Sequence, residues 1–174
     1  MVFLFTNNHN MATKLKNLSD TNLENSKAFT KTKISLVVAE WNSEITFALR
    51  DGAIEFLTKM GVKEKNILIS YVPGAYELAF GAQLVALGNK FDAVITIGCI
   101  IKGDTPHFDF ISDACANGIM QVGLSYGLPV IFGVLTTNDL KQAKERSGGK
   151  HGNKGVEAAE TALKMIALQS ELTK

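Results

Sequence analysis

The stretch AVITIGCIIKGDTPHFDF, Ala93 to Phe110, opens with a β-rich apolar run and then, within six residues, presents Lys102, Asp104, Thr105 and His107. A short run of Val and Ile without polar alternation reads as a strand buried on both faces. Three more runs share that character: ISLVVAE (34–40), NILISYV (66–72) and PVIFGVLTT (129–137). Helical periodicity fills the intervals. Ser43 or Glu44 to Met60 repeats Ile45, Leu49, Ala53, Phe56, Leu57 and Met60, then meets Gly61, a residue suited to a left-handed position after a helix. Tyr76 to Leu87 stops at Gly88, and Asp109 to Tyr126 stops at Gly127 with Ile111, Cys115, Ile119 and Val122 on one face. Asn138 to Arg146 and Asn153 to Ser170 complete the chain, separated by the glycine-rich SGGKHGNKG.

Four buried strands alternating with helices require right-handed crossovers, which make the sheet parallel and cover both its faces. The predicted fold is therefore α/β: a three-layer α/β/α sandwich on a four-stranded parallel sheet with flavodoxin-like winding. One domain spanning 34–174 is expected, since 174 residues with 46% hydrophobic content supply an ordinary core. Residues 1–33 are polar, rich in Asn, Lys, Thr and Ser, and read as a flexible arm in which Met11 is a candidate natural start.

Composition removes several function classes. Eighteen Lys and Arg against seventeen Asp and Glu give a net charge of +1, so no electrostatic footprint for nucleic acid or anionic lipid is present. Cys99 and Cys115 lie in apolar segments without CxxC spacing and read as buried, reduced residues. No apolar run approaches the roughly 18 residues that span a bilayer. The opening MVFLF is short for a signal sequence and has no basic start, so the expected location is the cytoplasm.

In open parallel sheets, ligands sit beyond the carboxyl ends of the strands, where loops carry the chemistry. Here those ends are Glu40, Trp41 and Asn42; Val72, Pro73, Gly74 and then Glu77; Lys102 to His107; and Thr136, Thr137 and Asn138. Each has a bland reading. PGAYE can be a turn into a helix, GDTPH a self-bonded loop with an exposed histidine, and the glycines a supple connector. Stacking and packing are equally open for Trp41. Arg146, Lys150 and Lys154 around a helix N-terminus also suit an anion. Generic motifs do not fit: SGGKHGNKG lacks G-x-x-x-x-G-K-[ST] spacing, no G-x-G-x-x-G follows the first strand, and three scattered histidines make no metal site. The paired acids of a phospho-signalling receiver are missing.

Taken together, WNSEIT, VPGAYELAFGAQ, GCIIKGDTPHFDFI, GLPVIFGVLTT and ERSGGKHGNKG resemble the 6,7-dimethyl-8-ribityllumazine synthase family, in register from about Ile34 to Leu168. The resemblance implies condensation of 5-amino-6-ribitylaminouracil with 3,4-dihydroxy-2-butanone 4-phosphate in riboflavin biosynthesis, with release of phosphate and water and with neither metal nor organic cofactor. It implies His107 as the proton carrier, Trp41 as the stacking aromatic in a place where the family commonly has Phe, and Asn42 as a polar contact. Ala75, Tyr76 and Glu77 match the ribityl-binding segment, and Cys99, Ile100 and Ile101 the strand end whose backbone reads the pyrimidine. Phosphate would be held by Thr105, the backbone around Asp104, and Arg146, with Lys154 as a weaker addition. The Asp104 carboxylate must point away or pair with Lys102. By the same resemblance, Phe132, Arg146 and Lys154 reach the site from a neighbouring subunit of a pentamer. The compact, uninterrupted turn at Ser147 to Gly155 further implies an icosahedral shell of pentamers. Riboflavin synthase is implied as a partner; nucleic acid and membrane are not. The alternatives are a catalytically silent lumazine- or flavin-binding shell protein and a receiver-like signalling domain.

Overall fold

The structure, a computed structural model, describes residues 29–173. Most of the expected arm, including Met11, lies outside the described residues. Phe29 and Thr32 are buried, Phe29 within the main apolar core, so packing begins ahead of the first strand.

Strands β1 (Ile34–Ala39), β2 (Ile67–Val72), β3 (Ala93–Ile101) and β4 (Val130–Thr137) form one sheet in the order β2-β1-β3-β4. All its pairs are parallel, with Ile34 opposite both Ile67 and Ala93, and Val94 opposite Val130. Helices α1 (Ser43–Lys59) and α5 (Lys154–Leu172) cover one face, and α2 (Leu78–Leu87) and α3 (His107–Tyr126) the other. The expected three-layer α/β/α architecture is what the chain adopts. Alternation along each strand divides the core in two. Leu36, Val38, Ile95, Ile97 and Leu135 meet Leu49, Ala53, Leu57, Ala159 and Leu163. Val37, Ala39, Val94, Ile100 and Val134 meet Leu78, Ala82, Cys115 and Ile119. Each fully buried aliphatic side chain of this kind contributes about 1.5–3 kcal/mol.

Helix ends depart from the periodicity in informative ways. The short α4 (Leu140–Glu145) starts two residues later than expected because Asp139 caps it: its carboxylate accepts from Gln142 N at 2.7 Å, while the Gln142 amide oxygen accepts from Asn138 N at 3.0 Å. Helix α2 starts at Leu78 and leaves Ala75 to Glu77 as a turn. Helix α3 starts two residues earlier than expected, so His107 is its first residue rather than part of a loop. The cause is Pro106, whose φ of −63° and ψ of −3° are already helical, and whose carbonyl accepts from Asp109 N and Phe110 N. The glycine-rich SGGKHGNKG is more than a connector. It forms a two-stranded antiparallel hairpin, β5 (Ser147–Gly149) and β6 (Gly152–Asn153), bent by Gly148 at φ 122° and Gly152 at φ 78°.

Candidate active site

The strands run parallel throughout, but the winding of the sheet reverses between β1 and β3: α1 leaves β1 toward one face, and α3 leaves β3 toward the other. Such a switch point opens a crevice at the carboxyl edge. Beyond β1, backbone pairing continues, with Glu40 N donating to Val72 O at 2.8 Å and Trp41 N to Pro73 O at 3.1 Å. This holds Trp41 at the crevice rim, where the indole is 72% exposed, so stacking rather than core packing is the role open to it. Asn42 follows in the left-handed region (φ 60°, ψ 44°), which asparagine tolerates better than most residues. Its side-chain amide donates to Cys99 O at 2.9 Å and pins the end of β1 to β3 across the switch point. That bond uses one of the two N–H groups of the amide, which leaves the second N–H and the side-chain carbonyl oxygen for a ligand.

A cavity of about 600 Å³ occupies the crevice. Trp41 and Asn42 form one wall, the turn residues Ala75, Tyr76 and Glu77 another, and the end of β3 (Cys99, Ile100 and Ile101) its floor. Thr105 and His107 close the far side. The half-buried Glu77 carboxylate depends on Gly74: a Cβ there would lie 3.2 Å from Glu77 Oε2, tight enough to displace it. Burial pushes the Cys99 and Cys115 thiols up to about 11, so neither offers a thiolate near neutrality.

Four predicted site residues do not line this cavity. Asp104 is exposed on the loop beside it, and no ion pair links it to Lys102. Phe132, on β4, lines a separate apolar groove of about 550 Å³ between α3 and α5. Lys154 pairs with Glu157 at 2.9 Å, and the Arg146 guanidinium makes one long bond, at 3.4 Å, to Gln142 O. The cavity also has two walls not picked out from sequence, Phe108 and Ile111, on the first turns of α3. Helical periodicity puts Ile111 on one face with Cys115, Ile119 and Val122, and only its nearness to GDTPH signals a second role.

The chain contains, within one crevice, an exposed aromatic plate, a carboxylate on a turn and a histidine at a helix start. The sequence pattern of the family described as 6,7-dimethyl-8-ribityllumazine synthase matches residues 31–170. The 6,7-dimethyl-8-ribityllumazine synthase of Porphyromonas gingivalis is 50% identical over 159 residues, covering 91% of this chain and 99% of that protein. The protein of the same name from Bacteroides fragilis is 51% identical over 142 residues (82% and 99%), and that from Cytophaga hutchinsonii is 57% identical over 132 residues (76% and 83%). With the match spanning every element of the sheet and both helical layers, the chain belongs to the 6,7-dimethyl-8-ribityllumazine synthase family.

Proposed function

We propose that the crevice between β1 and β3 is the active site in which this enzyme condenses 5-amino-6-ribitylaminouracil with 3,4-dihydroxy-2-butanone 4-phosphate, with His107 as the proton carrier. The observation that carries the reading is the convergence of Trp41, Glu77 and His107, from three separate strand ends, on one cavity of about 600 Å³. That volume lies in the usual range for small-molecule sites.

The pyrimidine amine is itself the nucleophile, so the protein's task is to hold two substrates together and to move protons. Trp41 offers a flat apolar face to the pyrimidine ring. The Asn42 side-chain amide and the backbone at Cys99 to Ile101 meet its polar edge. Glu77 accepts from ribityl hydroxyls, with Ala75 and Tyr76 shaping the same turn. His107 gives and takes protons through Schiff-base formation, phosphate elimination, ring closure and dehydration, the kind of transfer an imidazole side chain performs. Phosphate belongs near Thr105. The N–H groups of His107 and Phe108 have no acceptor among the described residues and stand at the positive end of the 20-residue α3. Asp104 remains on the outer side of this loop.

The same reading includes a neighbouring subunit that supplies Phe132, Arg146 and Lys154. Large apolar side chains support it: Phe80, Leu84, Phe110, Met120 and Leu124 are each more than half exposed on α2 and α3, more than a monomer leaves in water. A closed ring of heterologous contacts brings one chain's hairpin to the next chain's crevice, for which we propose a pentamer. The short β5–β6 turn, with no inserted residues, supports a shell of such pentamers. Riboflavin synthase is the proposed partner of that assembly, and the cytoplasm, where buried thiols stay reduced, its proposed location.

Three measurements test the reading. Purified protein mixed with both substrates should develop lumazine absorbance. Trp41, the single tryptophan of the chain, should change its fluorescence when a product analogue binds. Turnover with no fluorescence response would remove Trp41 from the site, and absence of both would overturn the crevice assignment. Light scattering should report a species of at least a pentamer, and an active monomer would refute the shared site.

A further inference from the structure

The side chain of Asn153, at the end of β6, uses all four of its hydrogen-bonding positions. Its Oδ1 accepts from Gly155 N at 2.8 Å and Val156 N at 3.3 Å, capping α5. Its Nδ2 donates to Ala48 O on α1 at 2.9 Å and to Ser147 O on β5 at 3.3 Å. We infer that Asn153 is a positioning residue that fixes the hairpin bearing Arg146 and Lys154 against α1, and thereby sets affinity for the phosphate-bearing substrate. This rests on the reading above that those two cations serve the phosphate.

Arg146 immediately precedes β5 and Lys154 immediately follows β6. Between them the hairpin is pliable, with two glycines at positive φ and an irregular register between Ser147 and Gly149. Backbone bonds from His151 N to Glu145 O and from Lys154 N to Arg146 O close the hairpin on itself without orienting it to the rest of the chain. The hydrogen bond that ties it to α1 comes from the Asn153 amide, beside the backbone packing of Gly155 on Leu49. The other polar link from α1 to this region, Lys144 to Glu44, is an exposed ion pair and holds little.

Helix α1 is built to receive this amide. Gly52 occupies its middle, where glycine is unfavourable, and a Cβ at that position would lie 2.5 Å from Asn153 Nδ2. The helix forgoes a side chain where the amide enters. Because α1 also begins directly after Trp41 and Asn42, one rigid helix connects the aromatic plate of a chain's own crevice to the hairpin that serves the neighbouring one.

Asn153→Asp separates capping from positioning. A carboxylate still accepts from Gly155 N and Val156 N, but its second oxygen faces the carbonyls of Ala48 and Ser147 in place of a donor. Steady-state kinetics on the assembled enzyme should show KM for the butanone phosphate raised about tenfold, with kcat and the KM for the pyrimidine within about twofold. The change should largely vanish in an Arg146→Ala background, since the two act through one contact. Gly52→Ala, which presses on the same amide from α1, should reproduce the split if the aspartate variant does not assemble. A merely structural residue would lower the melting temperature and the active fraction while leaving both KM values in place. That result, an equal rise in both KM values, or an undiminished effect on top of Arg146→Ala overturns the proposal. If Arg146→Ala alone leaves the phosphate KM unchanged, the arginine assignment falls. The positioning role then stands only if Asn153→Asp loses its effect on top of Lys154→Ala.

Discussion

Gly155→Ala should destabilise the fold through the crossing of α1 and α5. Gly155 stands in the first turn of α5, and a Cβ there would lie 2.6 Å from the carbonyl carbon of Leu49 and nearer still to its oxygen. Ordinary carbon contacts sit at roughly 3.5–4.0 Å, so the helices must part by about 1 Å. No rotamer relieves this clash, because backbone faces backbone. A gap of that size forfeits a quarter to a half of the dispersion energy between atoms that touched, here among Leu49, Ala53, Ala158, Ala159 and Ala162, none more than 3% exposed. Overpacking of this kind costs about 1–3 kcal/mol, and the backbone obstacle places it at the upper end. Against it stands the better helix propensity of alanine, worth up to about 1 kcal/mol. The clash wins by about 2 kcal/mol, which for a chain of this length lowers the melting temperature by about 4–8 °C. Thermal denaturation followed by circular dichroism, at one protomer concentration because the assembly contributes stability, reads the shift. Gly103→Ala is the control, with nothing within 4 Å of its added carbon. Gly155→Ala melting within about 1 °C of the parent, or no lower than Gly103→Ala, would refute the reasoning.

His107→Ala should reduce turnover by about 10²–10⁴ while fluorescence titration shows product-analogue binding near normal, and unchanged turnover removes it as the proton carrier. Arg146→Ala should raise KM for the butanone phosphate much more than that for the pyrimidine, and an equal rise in both would contradict the phosphate contact. Cys99 and Cys115, with thiols pushed up to about 11, should resist iodoacetamide at pH 8 in the folded enzyme. Their raised values also set a sign for stability. Below the usual thiol range both states are protonated and nothing changes; above it the unfolded chain ionises first, so stability should fall as pH rises from about 9 toward 11. Urea titrations across that interval with no such fall would show that the thiols reach water.

The sheet was legible because its central strands β1 and β3 are buried on both faces, a situation that admits mainly Val, Ile and similar residues in short unbroken runs, and the edge strands β2 and β4 keep that apolar character although Leu68, Tyr71 and Phe132 are exposed. The extent of β3, Ala93 to Ile101, follows directly from that pattern. Helix starts were less legible, since they depend on local bonds that periodicity does not encode. Pro106 admits His107 to α3, and Asp139 delays α4. The hairpin at Ser147 to Asn153 escaped because strands of two and three residues carry no alternation, and three glycines hide the pairing. Asn153 is harder still. Its significance lies in a contact to Ala48, 105 residues earlier, and the only trace in sequence is an otherwise unfavourable Gly52 in a helix.

The candidate site divides along a similar line. Residues that a single chain brings together, from Trp41 to His107, lie at strand ends, and the topology alone gathers strand ends at one edge. Residues that the chain holds apart, Phe132, Arg146 and Lys154, belong to β4's outer side and to the hairpin, on the far flank of α1 and α5. The crevice holds an aromatic plate, a carboxylate and a histidine, and no Lys or Arg lines it, a set that on the proposed reading suits a neutral pyrimidine better than a phosphate ester. An Arg and a Lys flanking a pliable hairpin, with Lys154 paired among the described residues with Glu157 alone, have the opposite deficiency. Joining two copies of the chain, so that one hairpin meets the next crevice, satisfies both at once. If the proposed shared site holds, dilution below the association threshold should abolish binding of the phosphate ester before it abolishes stacking on Trp41, and loss of both together would refute it.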